Sequence, residues 1–255
     1  MDLLLVAFLG LLAGLLVNYL ADVLPVERKL GQPVCQACGA KIAWKDYLFP
    51  KACRACQRPR SWRTYLTLML GVGLSLVLWL NPPARMGYWL GLAVLIFFGL
   101  VVVIDFEHHL IMHIVTLGGA VLGLITGTLR YNLPTSLVGG AAGLLIMLLF
   151  YWVGTLFAKY RARKLGLDDG EEALGFGDVT LTAVLGLMLG WPFIMFGLLI
   201  GVLAGGLVSL LLVLVLVASR RYHSLTVFTA YGPYLVAGAA IIMFFPQSLS
   251  ILFGK

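Results

Sequence analysis

Apolar runs recur along this chain, each close to the ~20 residues needed to cross a lipid bilayer and each followed by short polar punctuation. Eight such runs can be drawn, over about residues 3–24, 64–81, 87–104, 110–129, 135–158, 178–190, 193–217 and 228–250. With 61% hydrophobic and 11% charged residues in 255 positions, the chain has more apolar surface than one water-soluble core can hide. The expectation is an all-α polytopic membrane protein with about eight transmembrane helices. The sixth run is short and Trp191-Pro192 separates it from the seventh, which predicts a tight helical hairpin or a partly re-entrant pair. The first run starts with acidic Asp2 and has no small-residue cleavage site before Pro25, so it is expected to be a retained helix rather than a signal peptide.

Basic residues test this scheme independently, because cytoplasmic loops collect Lys and Arg. Nine lie between the first two runs: Arg28, Lys29, Lys41, Lys45, Lys51, Arg54, Arg58, Arg60 and Arg63. Lys159, Arg161, Arg163 and Lys164 follow the fifth run, and Arg220 and Arg221 the seventh. Only Arg85, Arg130 and Lys255 fall on the opposite side, so the N-terminus is expected outside. The net charge of +7 is then a topology signal and an attraction to anionic lipid, with no nucleic acid implied.

All four cysteines sit in the first basic loop, as Cys35-Gln-Ala-Cys38 and Cys53-Arg-Ala-Cys56. Two such knuckles can surround a zinc ion with four thiolates, a closed site that is structural rather than catalytic. The loop looks too short and polar for a core of its own, so metal binding would supply folding free energy. Disulfides are disfavoured in a reducing cytoplasm, and a redox pair would not need both knuckles. The expected organisation is a first transmembrane helix over 1–24, a cysteine domain over 25–63 and a seven-helix membrane domain over 64–255.

Most acidic residues fall in loops or at the chain start, where solvation accounts for them. Asp105 and Asp178 stand apart. Asp105 ends the run Gly-Leu-Val-Val-Val-Ile, and Asp178 follows Gly175-Phe176-Gly177. A carboxylate at membrane depth is costly unless it lines a polar cavity. Asp178 could alternatively cap a helix, and Asp105 could mark an interface. Both nevertheless lie at the cytoplasmic ends of their runs, where a pair sharing one proton would activate water against an amide. The glycines are expected to set Asp178 on a tight turn open to a substrate strand.

These segments resemble the type IV prepilin peptidases, membrane aspartyl proteases with a Gly-x-Gly-Asp motif. Ile104-Asp105-Phe-Glu-His-His-Leu-Ile is similar to the family's first catalytic segment, and Glu172-Ala-Leu-Gly-Phe-Gly-Asp178-Val to its second. The cysteine loop resembles its cytoplasmic zinc domain, and Tyr231-Gly-Pro-Tyr234 its aromatic-Gly-Pro turn. The resemblance implies a bacterial inner-membrane enzyme with Asp105 and Asp178 catalytic. It further implies Glu172, Gly175, Phe176 and Gly177 in the active-site loop, and zinc on Cys35, Cys38, Cys53 and Cys56. The implied substrate is the leader of a type IV prepilin or pseudopilin, cut on the cytoplasmic side. Many members also methylate the new amino terminus with S-adenosylmethionine, which makes that a second candidate cofactor. The chain departs from the family pattern at Ile111-Met112-His113, Thr180, Lys51 and Thr67.

Two other classes compete. His108, His109 and His113 with Glu107 could be a metal cluster, although histidines beside an active-site mouth are the plainer account. The thirty glycines could belong to a non-catalytic transporter or an assembly subunit with a zinc-ribbon loop, but no repeated half and no acid at mid-span supports transport.

Overall fold

A computed structural model describes residues 2–35, 37–49, 51–165, 175–218 and 230–245. Among these residues there are nine helices: α1 (Leu3–Glu27), α2 (Trp44–Leu48), α3 (Trp62–Leu80), α4 (Gly87–His108), α5 (His113–Arg130), α6 (Leu133–Leu165), α7 (Phe176–Leu189), α8 (Phe193–Ala218) and α9 (Gly232–Phe244). No strand occurs among the described residues beyond an isolated bridge between Val34 and Lys41. Each apolar run therefore holds a helix among its described residues, and α2 is a short turn within the first loop. Six helices are long and apolar enough to cross a bilayer, while α7 and α9 are shorter apolar helices. The protein is an integral membrane protein.

Local chemistry moves the helix ends by a few residues. α1 carries Pro25 and stops only at Arg28, whose left-handed backbone lets its N–H bond the Leu24 carbonyl. α4 continues through Asp105-Phe-Glu-His108, which has no helix breaker, so Asp105 lies within its last turn rather than beyond its end. Asn132 accepts the Thr135 N–H at 2.8 Å at the start of α6.

The chain divides into two compact units, residues 1–108 and 109–255. In the first, α1 packs on α3 and α4. Small residues let α1 and α3 meet backbone to backbone: a Cβ at Gly71 would lie 2.6 Å from the Gly10 carbonyl oxygen. Ser75 donates to the Val6 carbonyl at 2.9 Å and sits 2.8 Å from the Tyr88 hydroxyl, so these polar groups are satisfied inside the apolar layer.

In the second unit, α7 packs on α5, α6, α8 and α9. It has 14 residues, and at 1.5 Å per residue it is about 21 Å long, shorter than the hydrocarbon layer. Its buried residues, among them Val179, Leu181, Val184, Leu185, Met188 and Leu189, leave little of it for lipid, and neighbouring helices rather than lipid solvate it. The Gly190 N–H closes α7 on the Gly186 carbonyl at 2.8 Å, and a three-residue turn leads into α8. The link between the pair is short, as either expected arrangement requires.

Candidate active site and cysteine centre

The two cysteine knuckles are built alike. Cys35 N–H bonds the Ala40 carbonyl at 2.8 Å and Gly39 N–H bonds the Cys35 carbonyl at 2.8 Å; Cys53 and Arg58, then Gln57 and Cys53, repeat the pattern at 3.0 and 2.8 Å. The turns bring all four sulfurs within 4.8 Å of one another, with Cys35 to Cys56 and Cys38 to Cys53 both at 3.8 Å. A tetrahedron of thiolates about 2.3 Å from a zinc ion has edges of about 3.8 Å, so the donor set fits a metal ion of that kind. No disulfide joins them. Backbone amides of Cys56 and Ala55 pull the Cys53 thiol down to about 6. The Ala40 amide acts in the same direction on Cys38, but desolvation and the neighbouring thiols outweigh it and push that thiol up to about 12.

The cysteine loop does hold a small core, contrary to expectation. Cys35, Ile42, Tyr47 and Cys53 are buried together, with Tyr19 of α1 and Cys56 packed against them. Tyr47 lies in α2, and its hydroxyl donates at 2.6 Å to Asp22 of α1. Asp22 also accepts from Arg63 and lies 3.6 Å from Arg60, whose guanidinium stacks 4.1 Å above the Tyr47 ring. Asp22 is only 2% exposed, so solvation does not account for it. It lies within the first apolar run, where the criterion that singled out Asp105 applies equally. Arg63 reaches a second carboxylate, Glu107, near the end of α4.

Asp105 is buried on α4 beside Ile104 and Val103, in the unit of residues 1–108. Asp178 is buried in the first turn of α7, in the unit of residues 109–255. The helix begins at Gly175, whose carbonyl accepts the Asp178 N–H at 3.1 Å, so Asp178 is inside a helix rather than on the expected tight turn. Neither Gly175 nor Gly177 has a positive φ. Gly177 matters through its missing side chain, since a Cβ there would lie 2.8 Å from Ile111 Cβ. Phe176 makes an edge contact with Tyr151, the ring centres 6.0 Å apart. Tyr231, just before α9, is within electrostatic reach of the Asp178 carboxylate. Glu172, with Glu171, lies outside the described residues. Among the described residues the histidines near α4 and α5 form no metal-ligand cluster; the four cysteines do.

Residues 92–210 match the type IV leader peptidase family. The matched segment covers a little less than half of the chain. Both Asp105 and Asp178 fall inside it. The chain is similar to the prepilin leader peptidase/N-methyltransferase of Pectobacterium carotovorum subsp. carotovorum, 32% identical over 170 residues, 66% of this chain and 54% of that relative. The Pseudomonas putida protein of the same name is 31% identical over 138 residues, 53% of this chain and 42% of the relative. That of Aeromonas hydrophila is 29% identical over 133 residues, 52% of this chain and 40% of the relative. The matched stretches span about half of these relatives' length or less. No solved structure matches the chain. The matched segment runs from α4 into α8, and the cysteine knuckles precede it.

Proposed function

We propose that this protein is a membrane aspartyl endopeptidase that removes the leader peptide of type IV prepilins or pseudopilins. The observation that carries this function is the pair of buried aspartates, Asp105 and Asp178, within the segment that matches the leader peptidase family. One carboxyl acting as acid and the other as base would activate water and protonate the leaving amine, chemistry that needs no metal ion at the scissile bond. Gly175, Phe176 and Gly177, with Glu172, would form the rim of the substrate site.

The distribution of basic residues supports an N-terminus outside and an active site facing the cytoplasm. Cys35, Cys38, Cys53 and Cys56 would hold structural zinc, which supplies folding free energy to the knuckles. Some relatives bear the name N-methyltransferase, so S-adenosylmethionine-dependent methylation of the new amino terminus is a second activity to assay. The substrate pilin helix and lipid are the expected partners.

The test is cleavage of a prepilin by purified protein, comparing parent, Asp105→Asn and Asp178→Asn at equal folded amounts and equal zinc content. Both variants should lose at least about a thousandfold in kcat, as removal of a member of a concerted acid-base pair does. Retained cleavage in either variant removes that residue from the chemistry. Labelled S-adenosylmethionine incubated with the cleaved product separates a bifunctional enzyme from a peptidase alone.

A further inference from the structure

Arg63 is the second residue of α3, and its partly buried guanidinium donates to carboxylates on two other helices, Asp22 of α1 and Glu107 of α4. A planar guanidinium with five N–H groups can bridge two acids, which a lysine ammonium does with less directional control. Asp22 in turn is tied to the cysteine loop by the Tyr47 hydroxyl, and Arg60 stacks on the same tyrosine. Tyr47 is buried against Cys35 and Cys53, and Arg60 follows by two residues Arg58, whose carbonyl accepts the Cys53 N–H. An unbroken chain of contacts thus runs from the knuckles through Tyr47, Asp22 and Arg63 to Glu107, two residues beyond Asp105 on the last turn of α4.

We propose that Arg63 is a positioning residue that makes the order of the last turn of α4, and with it the placement of Asp105, depend on metal in the cysteine knuckles. The last turn of a helix has carbonyls without intrahelical partners and frays unless something ties it down. Glu107 is a poor residue for that turn alone, because the helix dipole disfavours an anion there. Arg63 supplies the opposing charge. Loss of metal from the knuckles removes the seat of Tyr47, loosens the Asp22 end of the bridge and frees Arg63 from its fixed place. The coupling itself stands on contacts within residues 1–108; only its catalytic consequence rests on the peptidase function proposed above.

Amide hydrogen exchange of the full chain in lipid nanodiscs, zinc-loaded and after chelation, reads the coupling without any assay of turnover. In the parent, chelation should raise exchange at residues 104–108 about tenfold, within the range that such networks transmit. In Glu107→Gln, which keeps the Arg63–Asp22 pair, exchange there should start high and respond little to chelation, with zinc content unchanged. Arg63→Lys, a gentler variant that keeps the charge, should give an intermediate response. On a prepilin substrate, Glu107→Gln should lower kcat about tenfold with KM unchanged. An α4 end that ignores chelation in the parent, or a Glu107→Gln variant that responds as the parent does, overturns the coupling. Exchange coupling without prepilin cleavage by the parent would support the coupling and count against the peptidase function.

Discussion

Gln57 holds in the second cysteine knuckle the place that Gly39 holds in the first, each with a left-handed backbone, φ +57° and +69°. The turn requires that conformation because the N–H at this position must reach back to the first cysteine's carbonyl. Glycine adopts it without a Cβ penalty, whereas a residue with a side chain loses roughly 1 kcal/mol. Gln57→Gly should therefore stabilise the loaded knuckle by about 0.5–1 kcal/mol, and Gly39→Ala should weaken it by a similar amount. Competition with a chromophoric chelator would register both as opposite shifts in apparent metal affinity.

Buried Asp22 neutralises two partly buried arginines. Asp22→Asn keeps the shape but leaves Arg60 and Arg63 facing a neutral amide, and loss of one partner from a buried charge cluster costs about 3 kcal/mol. Tyr47→Phe removes only one hydrogen bond and should cost about 1 kcal/mol. Thermal unfolding in detergent, followed at fixed zinc, should rank the parent above Tyr47→Phe and both above Asp22→Asn.

The seam between α1 and α3 offers a matched pair of substitutions. Gly71→Ala would drive a methyl against the Gly10 backbone, which cannot rotate aside, and should destabilise by about 1–3 kcal/mol. Gly73→Ala, on the same helix with nothing within 4 Å, should be neutral or slightly stabilising through helix propensity. Equal melting temperatures for the two variants would contradict the close approach.

Metal retention should depend on pH in a defined direction. Cys38, pushed up to about 12, carries its proton throughout the neutral range, and a metal ion must displace it. Cys53, down to about 6, is ionised above that pH and protonated below it. Zinc affinity should thus rise at least about tenfold per pH unit between about 6 and 8, and fall more steeply below 6 as the Cys53 proton also competes. Chelator titrations across this range would show it; a flat profile would mean that zinc binds without displacing the Cys38 proton.

What was legible in the sequence was whatever depends on runs and spacing. The apolar runs gave every membrane helix because a hydrocarbon solvent leaves the backbone few alternatives. Paired Cys-x-x-Cys spacing gave the four-sulfur centre because each knuckle is a local turn. Asp22 was missed, although an acid within the first apolar run is a visible signal; its arginine partners lie about forty residues away, and only the packing of α3 on α1 brings them together. The turn expected at Asp178 became the first turn of a helix because Gly177 fits inside α7 and is needed there for the contact with Ile111. A glycine pair reads the same in sequence whether it supplies backbone freedom or room for a neighbour.

The segment carrying the cysteines leaves α1 at residue 28 and enters α3 at residue 62, and these two helices touch along the Gly10–Gly71 seam. Its ends are thus already held close before any metal arrives. Bringing together the ends of a free chain of that length costs about 3 kcal/mol of entropy, which here falls on membrane insertion rather than on metal capture. The bilayer-embedded helix pair acts as the clasp of a chelate ring, and a soluble peptide of residues 28–61 should bind the same ion markedly less tightly than the intact protein.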